Sequence, residues 1–151
     1  MLISSKNFGE VEIDPSKKIV FKEGIPGFEM LKEYILIEDT EESSPFAYLQ
    51  SIEDSNICFV IADPYVFMPN YAPDIKDQFI EMLGGGTAED FSVFSIVTIP
   101  TGFNDATLNL VGPLVIHNET RLGRQVILEN TSYTTKHLIT ELLLERRDNK
   151  C

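Results

Sequence analysis

The sequence predicts a mainly β domain, an antiparallel sandwich or barrel of about eight to ten short strands with one or two helices. Three observations carry this. Alternating apolar and polar runs recur at close spacing, punctuated by Gly, Pro, Asn and Asp turn signals. The run Ile57–Ala62 is apolar on both faces, as a central strand covered on both sides would be. Phe91–Ile99 is the longest β-like run and stops at Pro100. No internal repeat or linker divides the chain, so its 151 residues form one domain, 1–151.

In chain order, Glu10–Asp14 alternates with Val11 and Ile13 on one face, a half-buried strand. Asp14-Pro15-Ser16 turns the chain, and Lys18–Lys22 alternates again with Ile19 and Phe21 inward. The two runs predict a hairpin. Next comes FKEGIPGFE, Phe21–Glu29, in which Gly24 and Gly27 admit turn angles and Pro26 pushes Ile25 toward an extended backbone. Ile25 and Phe28 either tuck under this loop or offer an apolar knob to a partner. Tyr34–Ile37 is a short strand ended by an acidic, solvated loop. Phe46–Gln50 is a strand and Glu53–Asn56 a polar turn. Tyr65–Pro73 is irregular and aromatic. A helix starts near Asp74, with Ile75, Phe79, Met82 and Leu83 on one stripe and Gly84 at its C-cap. Thr107–Leu110, Pro113–Ile116 and Gln125–Glu129 are short strands. In the tail, 134–151, Leu138, Ile139, Leu142 and Leu143 favour a helix, although Leu138, Thr140, Leu142 and Leu144 also suit a strand.

Charge is placed unevenly. The net charge is −12; residues 1–32 hold 5 acids and 5 bases, residues 33–116 hold 14 acids and the single base Lys76, and residues 117–151 hold 5 acids and 6 bases. A middle segment at −13 argues against direct binding to nucleic acid or to an anionic membrane, and for a basic protein partner. No apolar run approaches the ~20 residues of a membrane helix, and no secretory leader pattern opens the chain. Cys58, inside an apolar strand, reads as buried and inert, and Cys151 as a free terminal thiol. His117 and His137 lack metal-ligand spacing, Gly84-Gly85-Gly86 is not followed by the Gly-Lys-Ser/Thr of a phosphate loop, and Glu53-Asp54 are not placed as a catalytic pair. No catalytic residue, metal or cofactor is expected. What needs explaining is the set of loop apolar groups, Ile25, Phe28, Phe67, Tyr71 and Phe103, beside an acidic middle. They suit a protein-binding surface, or they close the ends of a small barrel.

Taken together, FKEGIPGFE, FAYLQSIED at Phe46–Asp54, Asp63-Pro64, TLNLVGPLVIHN at Thr107–Asn118 and Gln125–Leu128 resemble the flagellar assembly factor FliW family. The resemblance runs from about Val11 to Tyr133. It implies a small antiparallel barrel-like domain capped by its helices, cytoplasmic and without enzymatic activity. It further implies binding to flagellin and, when flagellin is absent, to the RNA-binding translational regulator CsrA, relieving repression of flagellin mRNA noncompetitively with RNA. The matching motif positions are Gly24, Ile25, Pro26, Gly27 and Phe28, then Leu49, Gln50 and Ser51, then Asn109, Leu110 and Pro113; these can specify the fold alone. The expected CsrA contacts are Glu23, Ile25, Phe28, Glu53 and Asp54, and the expected flagellin contacts are Phe67, Tyr71 and Phe103. A small-ligand-binding β-barrel and a structural subunit of the export apparatus are the alternatives.

Overall fold

The computed structural model describes residues 1–41 and 43–148, the side chains of Phe103, Arg147 and Asp148 excepted. Among the described residues there are eleven strands and three α-helices. Nine strands share one sheet. Its main path runs β10 (Gly123–Gln125), β9 (Leu114–His117), β7 (Phe91–Thr98), β6 (Cys58–Ala62), β5 (Phe46–Ser51), β4 (Glu33–Glu38) and β3 (Ile19–Val20). Every neighbouring pair on this path is antiparallel. The two edges then meet. Val20 bridges Leu122 in the parallel sense, and the Val20 N–H donates to the Arg121 carbonyl at 2.9 Å. The sheet thus closes into a barrel through one narrow seam. β8 (Thr107–Leu108) lies on the same edge of β7 as β9, with Leu108 opposite Val97 and Leu114 opposite Phe94. β8 and β9 are one strand interrupted by the excursion 109–113.

The two-residue period of a strand sends alternate side chains inward. Phe21, Tyr34, Leu49, Ile61 and Leu114, each at 0 % exposure, fill the interior with Ile19, Ala47 and Ile116. They occupy the space that a small-ligand barrel would give to its ligand. The outer face is covered in three places. The hairpin of β1 (Leu2–Ser5) and β2 (Gly9–Glu12) sets Ile3, Val11 and Ile13 against Ile35 and Ile37. The short helix α1 (Pro64–Phe67) and α3 (Ile139–Asp148) cover Ala62, Val97 and Leu108. Finally, α2 (Asp77–Leu83) and Val126–Leu128 cover Val115 and Phe91.

Several expectations are corrected. β2 pairs with β1, not with β3, because Asp14-Pro15-Ser16 begins a 3-10 turn capped by the Asp14 carboxylate rather than a hairpin. Tyr65–Pro73 is not wholly irregular: α1 starts after the Asp63 cap, with Pro64 at its first position. α2 begins at Asp77, and Gly84, at φ +127°, ends it. The final strand of the sheet path is Gly123–Gln125 rather than 125–129. Both readings of the tail are partly realised, as His137–Leu138 forms β11 against β8 before α3 starts. Cys58 is half-buried rather than buried; burial pushes its thiol pKa up, which keeps it inert at neutral pH. Cys151 lies outside the described residues.

Candidate partner-binding surfaces

The loop between β3 and β4 closes one end of the barrel with three successive turns. The Gly24 N–H donates to the Phe21 carbonyl at 2.8 Å, Phe28 N–H to Ile25 at 2.7 Å and Leu31 N–H to Phe28 at 3.0 Å. Pro26 and Gly27 sit at the centre of the second turn, Gly27 at φ +90°, as a type II turn requires. Gly24, at φ +69°, has no room for a side chain: a Cβ there would lie 2.5 Å from the Glu29 Cα. The Glu29 carboxylate accepts the Gly27 N–H at 2.6 Å, a bond that holds its pKa below the usual carboxylate range. This winding drives Ile25 into the barrel at 2 % exposure. Phe28 packs edge-on against Phe59 with ring centres 5.1 Å apart, and Met30 projects at 86 % exposure.

The expected CsrA contacts do gather at this end, but not all as surface groups. Ile25 is an interior plug and not a knob. Glu53 is a brace: one oxygen, Oε1, accepts the Lys32 N–H at 2.7 Å and the Glu33 N–H at 2.8 Å. Asp54 accepts the Asn56 N–H at 3.0 Å, and its own N–H donates to Ser51 Oγ at 3.0 Å. Glu23 is open, its side chain 68 % exposed and its carboxylate 3.9 Å from Arg124 Nη1. Glu23, Phe28 and Met30 are exposed here beside Pro26 and Glu29, and Met30 was not among the expected contacts.

Phe67 and Tyr71 do not line an open groove. Each is 4 % exposed. The Tyr71 hydroxyl donates to the Leu110 carbonyl at 2.6 Å, and its ring meets Tyr133 edge-on at 4.9 Å. Burial first, then the Tyr65 and Tyr133 hydroxyls, push the Tyr71 pKa well up. The chain's own α3 lies over this cluster, burying Ile139 and Leu142 and donating from Arg146 Nη1 to the Val66 carbonyl at 2.5 Å. The Phe103 side chain lies outside the described residues. The remaining motif residues hold backbone. Gln50, 0 % exposed, accepts from Ser5 Oγ at 2.7 Å and donates to the Ile57 carbonyl at 3.2 Å. Asn109 Oδ1 accepts the Gly112 N–H at 2.8 Å, and the Pro113 carbonyl accepts the Val126 N–H at 3.0 Å. His117 is also structural, its Nδ1 facing the N–H groups of Glu119 and Thr120 and its Nε2 the Gly85 carbonyl. That pattern fixes the proton on Nε2.

The densest acid lies at the opposite end, where β4 runs out. A cleft of about 380 Å³ is rimmed by Glu38, Asp39, Glu41 and Asp63 over Leu36, Ala47 and Phe94. A neighbouring cleft of about 550 Å³ adds Glu119, with Lys17 and Arg121 on its far side. The Ser44 hydroxyl donates to Asp39 at 2.9 Å, keeping that carboxyl below its usual range. Among the described residues no group of three His, Cys, Asp or Glu could hold a metal ion, and no helix is long and apolar enough to cross a membrane.

Residues 2–139 match the family model described as FliW protein. A protein of Thermoanaerobacter pseudethanolicus named flagellar assembly factor FliW is 40 % identical over 149 residues, covering 99 % of each chain. One of the same name from Bacillus licheniformis is 39 % identical over 139 residues, covering 92 % of this chain and 96 % of the relative. A crystal structure of the flagellar assembly factor FliW superimposes with a TM-score of 0.84 at 37 % identity, over 92 % of this chain and 96 % of that one. The closed barrel and its sequence relatives agree: the chain belongs to the FliW family.

Proposed function

We propose that this chain is a flagellar assembly factor that binds flagellin and, when free of it, binds CsrA in the cytoplasm. CsrA binding relieves repression of flagellin mRNA translation without competing for the RNA site. It works by association and not by catalysis. The observation that supports a basic partner is the acidic mouth around Glu38, Asp39, Glu41 and Asp63. An RNA-binding regulator carries basic surface, and complementary charge speeds encounter and excludes wrong partners. The same field repels RNA, so the chain can disfavour RNA while bound beside it. Glu23 and Phe28 extend the contact candidates to the other end of the barrel.

Calorimetric titration with CsrA, and separately with export-competent flagellin, at low and high salt tests this. Binding to each, each excluding the other, with CsrA affinity falling as salt rises, is the expected result. Repeating the CsrA arm with RNA already bound tests the noncompetitive mode, which predicts a ternary encounter before RNA leaves. No binding to either protein would remove the proposal.

A further inference from the structure

The geometry points to a second docking site, the cleft beside the barrel's closing seam. It fits a peptide segment of a protein partner that presents one large apolar side chain flanked by acidic residues. Val20, Leu83, Leu122 and the exposed Met82 give it an apolar lining, and Lys22, Glu23 and Arg124 supply its charge. Its volume is about 200 Å³. That is below the ~300–1,000 Å³ of metabolite sites, and it leaves room for one anchor side chain of the kind that interface hot spots bury.

Two further observations support it. The first is Met82. Ile75, just before α2, and Phe79 and Leu83 within it pack onto the barrel, while Met82 is left 57 % exposed. A methionine over a cleft is an adaptable apolar surface. The second is charge. Closure sets the bases near β3, Lys17, Lys18 and Lys22, alongside Arg121 and Arg124 of the other edge. Lys18 is taken by Glu33 at 2.9 Å and Arg121 by the Lys17 carbonyl at 2.8 Å. Lys22 has no partner among the described residues. Arg124 is held ready: its guanidinium stands 5.0 Å over the Phe79 ring, with Nη1 3.9 Å from Met82 Sδ and 3.9 Å from Glu23. Neither contact is a close ion pair, so the guanidinium keeps donors for a carboxylate. Lys22 and Arg124 against Glu23 leave this rim with one positive charge in excess, on a chain whose middle carries −13, and that excess favours an anionic occupant.

The site rests on the reading that the chain captures a flagellar protein. It separates that capture from the acidic mouth that meets the basic partner.

The test uses the full chain and two short synthetic peptides, each with one central leucine in a helical segment. One is flanked by glutamates and the other by lysines. Fluorescence anisotropy at low and high salt follows binding to wild type, Lys22→Glu and Met82→Glu. Both substituted positions are exposed, and thermal melts confirm that the variants fold. The glutamate peptide should bind wild type, lose affinity with salt, and bind each variant about tenfold more weakly or less. Unchanged affinity in both variants would overturn the site, as would equal binding of the lysine peptide that Met82→Glu abolishes. A parallel titration with export-competent flagellin separates the two proposals. If wild type and Met82→Glu bind flagellin equally, the cleft fails and capture stands. If wild type ignores flagellin while the glutamate peptide still needs Lys22 and Met82, capture fails and the cleft stands.

Discussion

Replacing Ile25 by alanine separates a plug from a knob. Ile25 is 2 % exposed and belongs to the interior cluster with Phe21, Tyr34 and Leu49. The substitution removes three carbons, about 2.4 kcal/mol of lost transfer at ~0.8 kcal/mol per methylene-sized group. The cavity left in a closed barrel adds to this, and Ile→Ala losses in cores run about 2–5 kcal/mol. A loss of about 3 kcal/mol is expected. For a domain of this size that lowers the melting temperature by about 6–12 °C. Phe28→Ala is the internal comparison: the residue is 36 % exposed and its ring meets Phe59 edge-on, so a smaller loss of about 1 kcal/mol is expected. Urea unfolding followed by circular dichroism gives both numbers, with the denaturant slope unchanged if only stability has moved. An Ile25→Ala protein that melts within 2 °C of wild type yet no longer binds CsrA would refute the plug and restore the knob.

Glu53→Ala takes the shared acceptor from the N–H groups of Lys32 and Glu33. Both can turn to water, so a loss of about 1 kcal/mol is expected in chemical unfolding, with local hydrogen-exchange protection at those amides reduced. Glu23→Lys, by contrast, reverses a largely exposed side chain and should leave stability nearly unchanged while altering the salt dependence of CsrA binding. At alkaline pH, the barrel should weaken through Tyr34, whose buried hydroxyl has no hydrogen-bond partner among the described residues and whose pKa is pushed up to about 12 by burial and then by Glu53. A folded-state value above the ordinary 10 means the contribution is complete below pH ~10 and is lost as pH climbs toward ~12, about 2–3 kcal/mol in all. Unfolding titrations across that range should show the fall in wild type and much less of it in Tyr34→Phe.

What was legible in the sequence was local. Ile19 and Phe21 face inward, as alternation predicted, and so do Ala47 and Leu49. Gly84 stops α2 where a C-cap glycine belongs. What was not legible depends on segments far away in the chain. Glu10–Asp14 has the pattern of a half-buried strand whichever neighbour it takes, and only the tertiary fold selects β1. Phe67 and Tyr71 read as exposed because nothing local shows that α3, some 70 residues on, will lie over them. Glu53 looks like a free acid until the start of β4 arrives beside it. The cleft at the seam was hidden for the same reason. Its rim comes from Lys22 and Arg124, about a hundred positions apart, and its only local trace was Met82 on the helix stripe.

The parallel bridge between Val20 and Leu122 also sets a timetable for the chain. During synthesis, the strands from β4 through β7 can zip up one hairpin or neighbour at a time as they emerge. The first staff of the barrel cannot be hooped to the last until residue 122 has left the ribosome. Until then Ile19 and Phe21 have only half a wall around them. Long-range closure is the slow step of such topologies, and a half-hooped cask is the species most exposed to aggregation. The same hoop is the natural first point of opening in the finished molecule, so native-state exchange should begin at the Val20 amide while the Leu49 and Ile61 amides stay closed.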